Sequence, residues 1–143
     1  MLPFAVTLKA GESPFRQVVY AATKAVVSGE LAEGSAFPSV RELSQALKIN
    51  PNTAHKIVAE LARDGVLDVL PGLGTVVATR RTATAVERAA LLSREVEQVV
   101  VEAMRLGLTE SDVQQAVADR WSELSTPIRG TVVDSSSLTG THA

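Results

Sequence analysis

The chain has 143 residues, of which 45% are hydrophobic and 3% aromatic, enough for one ordinary core built from Leu, Val and Ala. It contains no cysteine, which excludes disulfides and thiolate metal sites. The formal net charge of −2 is unevenly spread, with nine Lys and Arg against seven Asp and Glu over residues 1–82 and five against nine beyond, so the modest basic excess lies in the first part.

Residues 1–12, with Pro3 and Gly11, are expected to form a flexible lead-in. That N-terminus lacks the basic segment, apolar stretch and small-residue cleavage site of an export signal. No uninterrupted apolar run approaches the roughly 20 residues that span a bilayer. The expectation is a cytoplasmic protein with no membrane partner.

Ser13-Pro14 then reads as a helix cap followed by proline at the first helical position. Phe15, Val18, Val19, Ala22 and Val26 follow helical spacing, and Gly29 supplies a left-handed stop, which predicts a helix packed across the two that follow. Residues 30–36 form the connection.

Ser39 and Glu42 have the spacing of a capping box, and Val40, Leu43 and Leu47 share one helical face behind it. Lys48-Ile49 makes a turn, and Asn50-Pro51 caps and opens another helix. Ala54, Ile57, Val58 and Leu61 form the apolar stripe of that helix. Asn52, Thr53, His55, Lys56, Ala59 and Glu60 fall off the stripe, and the first four crowd its N-terminal end. Short hydrogen-bonding side chains and a cation at that end are what reading a major groove requires, and the free amides there favour a phosphate. Val66–Leu70 and Thr75–Ala78 read as two strands joined by Pro71-Gly72-Leu73-Gly74. Helix, turn, helix and hairpin together predict a winged helix-turn-helix over residues 13–80.

Taken together, Gly29-Glu30-Leu31 with Gly34, Phe37-Pro38-Ser39-Val40-Arg41-Glu42-Leu43, Asn50-Pro51-Asn52-Thr53, Glu60-Leu61 with Asp64-Gly65, and Gly72-Leu73-Gly74-Thr75 closely resemble the N-terminal domain of GntR-family bacterial transcription regulators. The resemblance implies that Arg41 contacts the DNA backbone, and it places His55 where family members direct side chains at DNA. Lys56 is expected to be an electrostatic contact, and Asn52 and Thr53 to be either groove contacts or supports of the helix start. Ser39, Asn50, Gly72, Gly74 and Thr75 complete the candidate DNA-binding set. A solvated or ion-paired Arg41 and a solvated His55 are the bland alternatives. Relatives often carry Arg or Lys at the wing. Here Leu73 holds the tip, and Arg80 and Arg81 stand just past the second strand as substitutes or as plain linker.

From Ala83 the pattern is helical again, with Val86, Ala89, Val96, Val99, Val100, Ala103 and Leu106 in one stripe widened by Leu91 and Leu92. Gly107-Leu108 reads as a Schellman stop, and Thr109 with Asp112 starts a last helix whose apolar face is Val113, Ala116, Val117, Trp121 and Leu124. Two such faces cannot bury each other completely. Residues 83–125 are therefore expected to be a two-helix dimerisation segment, with Val96, Val99, Val100, Ala103, Val113, Val117 and Trp121 at a two-fold interface. A tail this short resembles the YtrA-like branch of the family and has little volume for an enclosed effector pocket. Residues 126–143, rich in Ser, Thr and Gly, are expected to be disordered.

The fold expected is mainly α with a small β-hairpin. The partners implied by the resemblance are double-stranded DNA and a second copy of the chain, with a repressor of an inverted-repeat operator as the leading function. A winged-helix module that binds protein without sequence-specific DNA binding is the alternative, favoured by the near-neutral charge and uncharged wing tip. An enzyme is disfavoured, because the sequence has no nucleophile elbow, no phosphate-binding glycine loop and no metal-ligand cluster. Its two histidines, His55 and His142, lie in different segments. No cofactor or metal is expected.

Overall fold

Local capping sets most of the boundaries. Ser13 Oγ accepts from Arg16 N–H and begins α1 (Pro14–Val27), while Gly29, at φ 84°, follows its end. The predicted capping box is present on both sides, with Ser39 Oγ accepting from Glu42 N–H at 3.1 Å and Glu42 Oε1 accepting from Ser39 N–H at 3.4 Å, and it opens α2 (Val40–Leu47). Such a cap is worth about 1 kcal/mol. Lys48 turns the chain with φ 54°, a left-handed conformation that costs a non-glycine residue about 1 kcal/mol. Asn50 Oδ1 then accepts from Asn52 N–H at 2.8 Å and starts α3 (Pro51–Arg63).

Beyond Gly65 an antiparallel hairpin pairs β1 (Leu67–Leu70) with β2 (Gly74–Val77), Leu67 opposite Val77 and Leu70 opposite Gly74. The turn has Pro71 at its second position, Gly72 at φ 78° at its third and a Leu73 N–H to Leu70 carbonyl bond of 3.1 Å, the pattern of a type II turn. Both strands run one residue inside the ends expected at Val66 and Ala78. The structure, a computed structural model, describes residues 2–79 and 82–125. The expected tail at 126–143, with His142, and the linker residues Arg80 and Arg81 lie outside them.

The core is built by Val18, Ala22 and Ala25 of α1, Leu43 of α2, Ala54, Ile57 and Leu61 of α3, Leu67 and Val77 of the hairpin, and Leu31 and Phe37 of the connection. Full burial of each large aliphatic side chain among these contributes roughly 1.5–3 kcal/mol. Val58, assigned to the stripe of α3, is only half-buried. The first helix packs mainly on α3 rather than across both partners.

Two connecting segments are more ordered than their sequences suggest. The lead-in is docked rather than mobile over residues 2–8: Phe4 is 4% exposed in the core and Leu2, Val6 and Leu8 pack against it. Alternation of these four with Pro3, Ala5, Thr7 and Lys9 is a two-residue period that buries one side of an extended strap. The connection at 34–37 runs along β2 as a third strand in all but length. Gly34 N–H bonds Val77 O, Val77 N–H bonds Ser35 O and Phe37 N–H bonds Thr75 O, each at 2.8 Å, around an Ala36 to Val76 bridge.

The C-terminal part is a helical run over 85–105 followed by a separate helix. Thr84 and Glu87 form a capping box for α4 (Ala85–Ala89), a π-helical stretch (Ala90–Glu95) follows, and α5 (Val96–Arg105) completes the run. The expected Schellman stop is formed, with Gly107 N–H to Met104 O at 3.1 Å and Leu108 N–H to Ala103 O at 2.9 Å. Thr109 and Asp112 cap α6 (Glu110–Ser125) reciprocally at 2.8 and 3.1 Å. This mostly helical architecture with its two-stranded hairpin is the winged helix-turn-helix with a two-helix appendage that the sequence predicts.

Candidate nucleic-acid interface

Burial of Ala54, Ile57 and Leu61 on one side of α3 forces its opposite side outward. Asn52, His55 and Lys56 are exposed and Thr53 is half-buried, so all four expected reading residues lie at the accessible N-terminal end of one helix. The only ion pair on this helix among the described residues is Glu60 with Arg63 at 2.7 Å, at its far end. It leaves the side chains of His55 and Lys56 without a polar partner among the described residues.

The backbone at this end is less open to anions than the sequence suggests. Pro51 has no N–H and Asn52 N–H is taken by Asn50 Oδ1, so the first turn offers few free donors. Asn50 therefore acts first as a cap, with its Nδ2 group left to donate outward.

Arg41, at the second position of α2, is exposed. Among the described residues its guanidinium has no ion pair or hydrogen bond. In particular the bland pairing with Glu42 or Glu60 is not made, since Glu42 closes the capping box and Glu60 binds Arg63. The hydroxyl oxygen of Ser39 is occupied as an acceptor in the same box. Arg41 is left as a free, permanently charged fork in the first turn of α2.

The structure joins this end of α2 to the wing. Phe37 N–H donates to Thr75 O, so Ser39 begins its helix two residues from a backbone bond to the second wing strand. Thr75 is half-buried there, whereas Gly72 and Gly74 lie at the exposed tip, at φ 78° and 95°. A Cβ added at either position would meet no atom, so both glycines are required by conformation rather than by space. Leu73, at 82% exposure, is the most exposed large apolar residue of the chain's described part.

In the arm, Val99, Ala103, Val113, Val117 and Trp121 line one open groove of about 1050 Å³ between α5 and α6, with Val27 of α1 at its edge. Ala103 is already 7% exposed at its floor, and Trp121 stands 74% exposed. Val96 and Val100, placed at the same expected interface, lie on the neighbouring face of α5 and outside the groove. The apolar surface is thus wider than one seam.

Two arm carboxylates are held in their charged form. Hydrogen bonding to Arg105 keeps Glu102 below the ordinary glutamate range, and the backbone and then the side chain of Thr109 do the same for Asp112. Among the described residues no group of His, Cys, Asp or Glu could hold a metal, and no helix is long and apolar enough to cross a membrane.

Four similarities to known proteins bear on this geometry. The family model for bacterial regulatory proteins of the gntR family matches residues 15–77. The HTH-type transcriptional repressor YtrA of Bacillus subtilis (strain 168) is 26% identical over 117 residues, which span 81% of this chain and 87% of that protein. The uncharacterized HTH-type transcriptional regulator YhcF of the same organism is 34% identical over 93 residues, 64% of this chain and 76% of its own length. A transcriptional antiterminator from Listeria monocytogenes EGD-e superposes with a TM-score of 0.72 at 26% identity, covering 85% of this chain and 92% of that one.

Proposed function

The chain belongs to the GntR family of bacterial transcription regulators as a YtrA-like member, and from that premise we propose that it is a homodimeric repressor that reads an inverted-repeat operator. Each subunit presents the N-terminal end of α3 to one major groove. Asn52, Thr53 and His55 meet base edges, while Arg41 and Lys56 hold phosphates. Ser39 and Asn50 set the two helix starts, and Gly72, Gly74 and Thr75 bring the wing backbone to the duplex.

The observation that carries this reading is the unpaired state of Arg41, His55 and Lys56 beside a fully formed core. The free cations Arg41 and Lys56 on this rigid frame gain their partners from phosphate, and two such frames are needed because the basic excess of one is small. The exposed apolar arm supplies the pairing surface. A repressor among the relatives of similar length supports the sign of regulation.

Fluorescence anisotropy on duplexes selected from the host genome tests the assignment. Arg41→Ala should weaken every duplex alike and make the salt dependence shallower by about 2 in slope, one for each subunit of the dimer, whereas Asn52→Ala and His55→Ala should change which base pairs are preferred. An Arg41→Ala protein with wild-type affinity and salt slope would overturn it.

The second reading, a protein-binding winged helix, rests on the exposed Val69, Leu70 and Leu73 of the wing. It is favoured if duplex binding disappears at moderate salt and shows no selectivity over random sequence.

A further inference from the structure

Two of the chain's three phenylalanines are used on one contact. The rings of Phe4 and Phe37 stack with centroids 5.7 Å apart and planes 15° from parallel, both buried. Stacking at this separation adds to the burial itself. Phe37 is no ordinary core position. Its N–H bonds the wing at Thr75 O, it is followed by buried Pro38 and the Ser39 cap, and Arg41 is four residues on.

The strap that carries Phe4 is held along its length. It occupies the seam between α1 and α2, where Ala5, Val6 and Thr7 share one cleft with Ala46 and Leu47 and another with Tyr20 and Ala21. Its far end is gripped by the Gln17 amide, which accepts from Lys9 N–H at 2.7 Å and donates to the carbonyls of Lys9 at 3.2 Å and Glu12 at 3.1 Å. One side chain thereby satisfies two backbone groups at the end of the strap and one in the turn that follows it.

Resting on the DNA-binding reading above, we infer that the strap at residues 2–9 is a working part of the reading unit, and that Phe4 is a positioning residue which, through Phe37, sets the junction from which Arg41 and the wing both take their placement. Remove the Phe4 ring and Phe37 loses its stacking partner at the point where α2 and the β2 strand are tied. The helix start and the wing can then shift independently. The α3 helix, anchored by Ala54, Ile57 and Leu61, stays where it is.

The test uses the full chain and the tightest duplex selected from the host genome, at a temperature where circular dichroism shows every variant folded. Phe4→Ala should bind about tenfold more weakly, with a salt slope shallower by up to about 2, one for each subunit. Phe4→Leu, which refills most of the volume, should recover affinity to within roughly threefold. Val18→Ala, a core change in α1, should lower the unfolding temperature yet keep affinity within about twofold. Amide exchange gives a readout independent of DNA: Phe37 and Gly34 should exchange faster in Phe4→Ala while Ile57 keeps its protection.

The inference is overturned if folded Phe4→Ala binds as the wild type does, or if Val18→Ala loses as much affinity. It is also overturned if Phe37 protection is unchanged. A wild-type chain that prefers no duplex, combined with selective loss of protection at Phe37, would uphold the positioning role and place the failure on the DNA-binding reading.

Discussion

The winged unit and the arm contain similar proportions of Leu, Val and Ala, yet they treat them in opposite ways. In the first, Val18, Leu43, Ala54, Ile57 and Leu61 are completely buried, and each helix face has a counterpart within the chain. In the second, Val86, Val99, Val101, Met104, Val117 and Trp121 are exposed, and Ala103 alone among the arm's described residues is buried. The lesson is that apolar periodicity identifies a helix face but not what covers it. A face with internal partners makes a domain, and a face without them makes an interface.

That contrast can be broken most severely from the core side. Ile57→Ala should cost roughly 2–5 kcal/mol, seen as a lowered urea midpoint of the winged unit, because it empties a fully enclosed site. The arm should respond differently. Trp121→Ala should leave the unfolding of the winged unit unchanged while weakening self-association by roughly 2 kcal/mol or more, read by sedimentation equilibrium. Equal effects of both substitutions on both readouts would erase the distinction.

The smallest effect is that of acid on the arm. Hydrogen bonds from Thr109 hold the Asp112 carboxyl below the ordinary aspartate range, so their contribution to the start of α6 is complete above that range. It is lost as pH falls through the lowered value and the carboxylate is protonated. The Thr109 amide resonance, followed by NMR during an acid titration, should move with that protonation. An amide indifferent to pH would show that the cap contributes nothing there.

Features set by a few adjacent residues were legible before any coordinates. Ser39 with Glu42, Asn50 with Pro51, and Gly107 with Leu108 each carry their geometry in local chemistry, and each is found as expected. The cap of Thr84 with Glu87 carries the same local signal. So does the alternation of Leu2, Phe4, Val6 and Leu8, four alternate apolar positions that mark one buried side of an extended segment. The strand-like path at 34–37 was beyond reach because its pairing partner is forty residues away and its own residues have no strand pattern. The π-helical stretch likewise has no local sign, since Ala90 to Glu95 is ordinary helix-forming sequence. At the candidate interface, exposure of Asn52 and His55 followed from the stripe opposite them. The unpaired state of Arg41 did not, because it depends on where Glu60 turns.

The central claim is that two chains, joined through their arms, present two copies of α3 to one duplex. Sedimentation velocity on a labelled duplex carrying the selected inverted repeat measures this directly. The account predicts two chains per duplex, bound together without a detectable one-chain complex, and loss of that complex in Trp121→Ala. One chain per duplex at saturation, with affinity unaltered by Trp121→Ala, would contradict it.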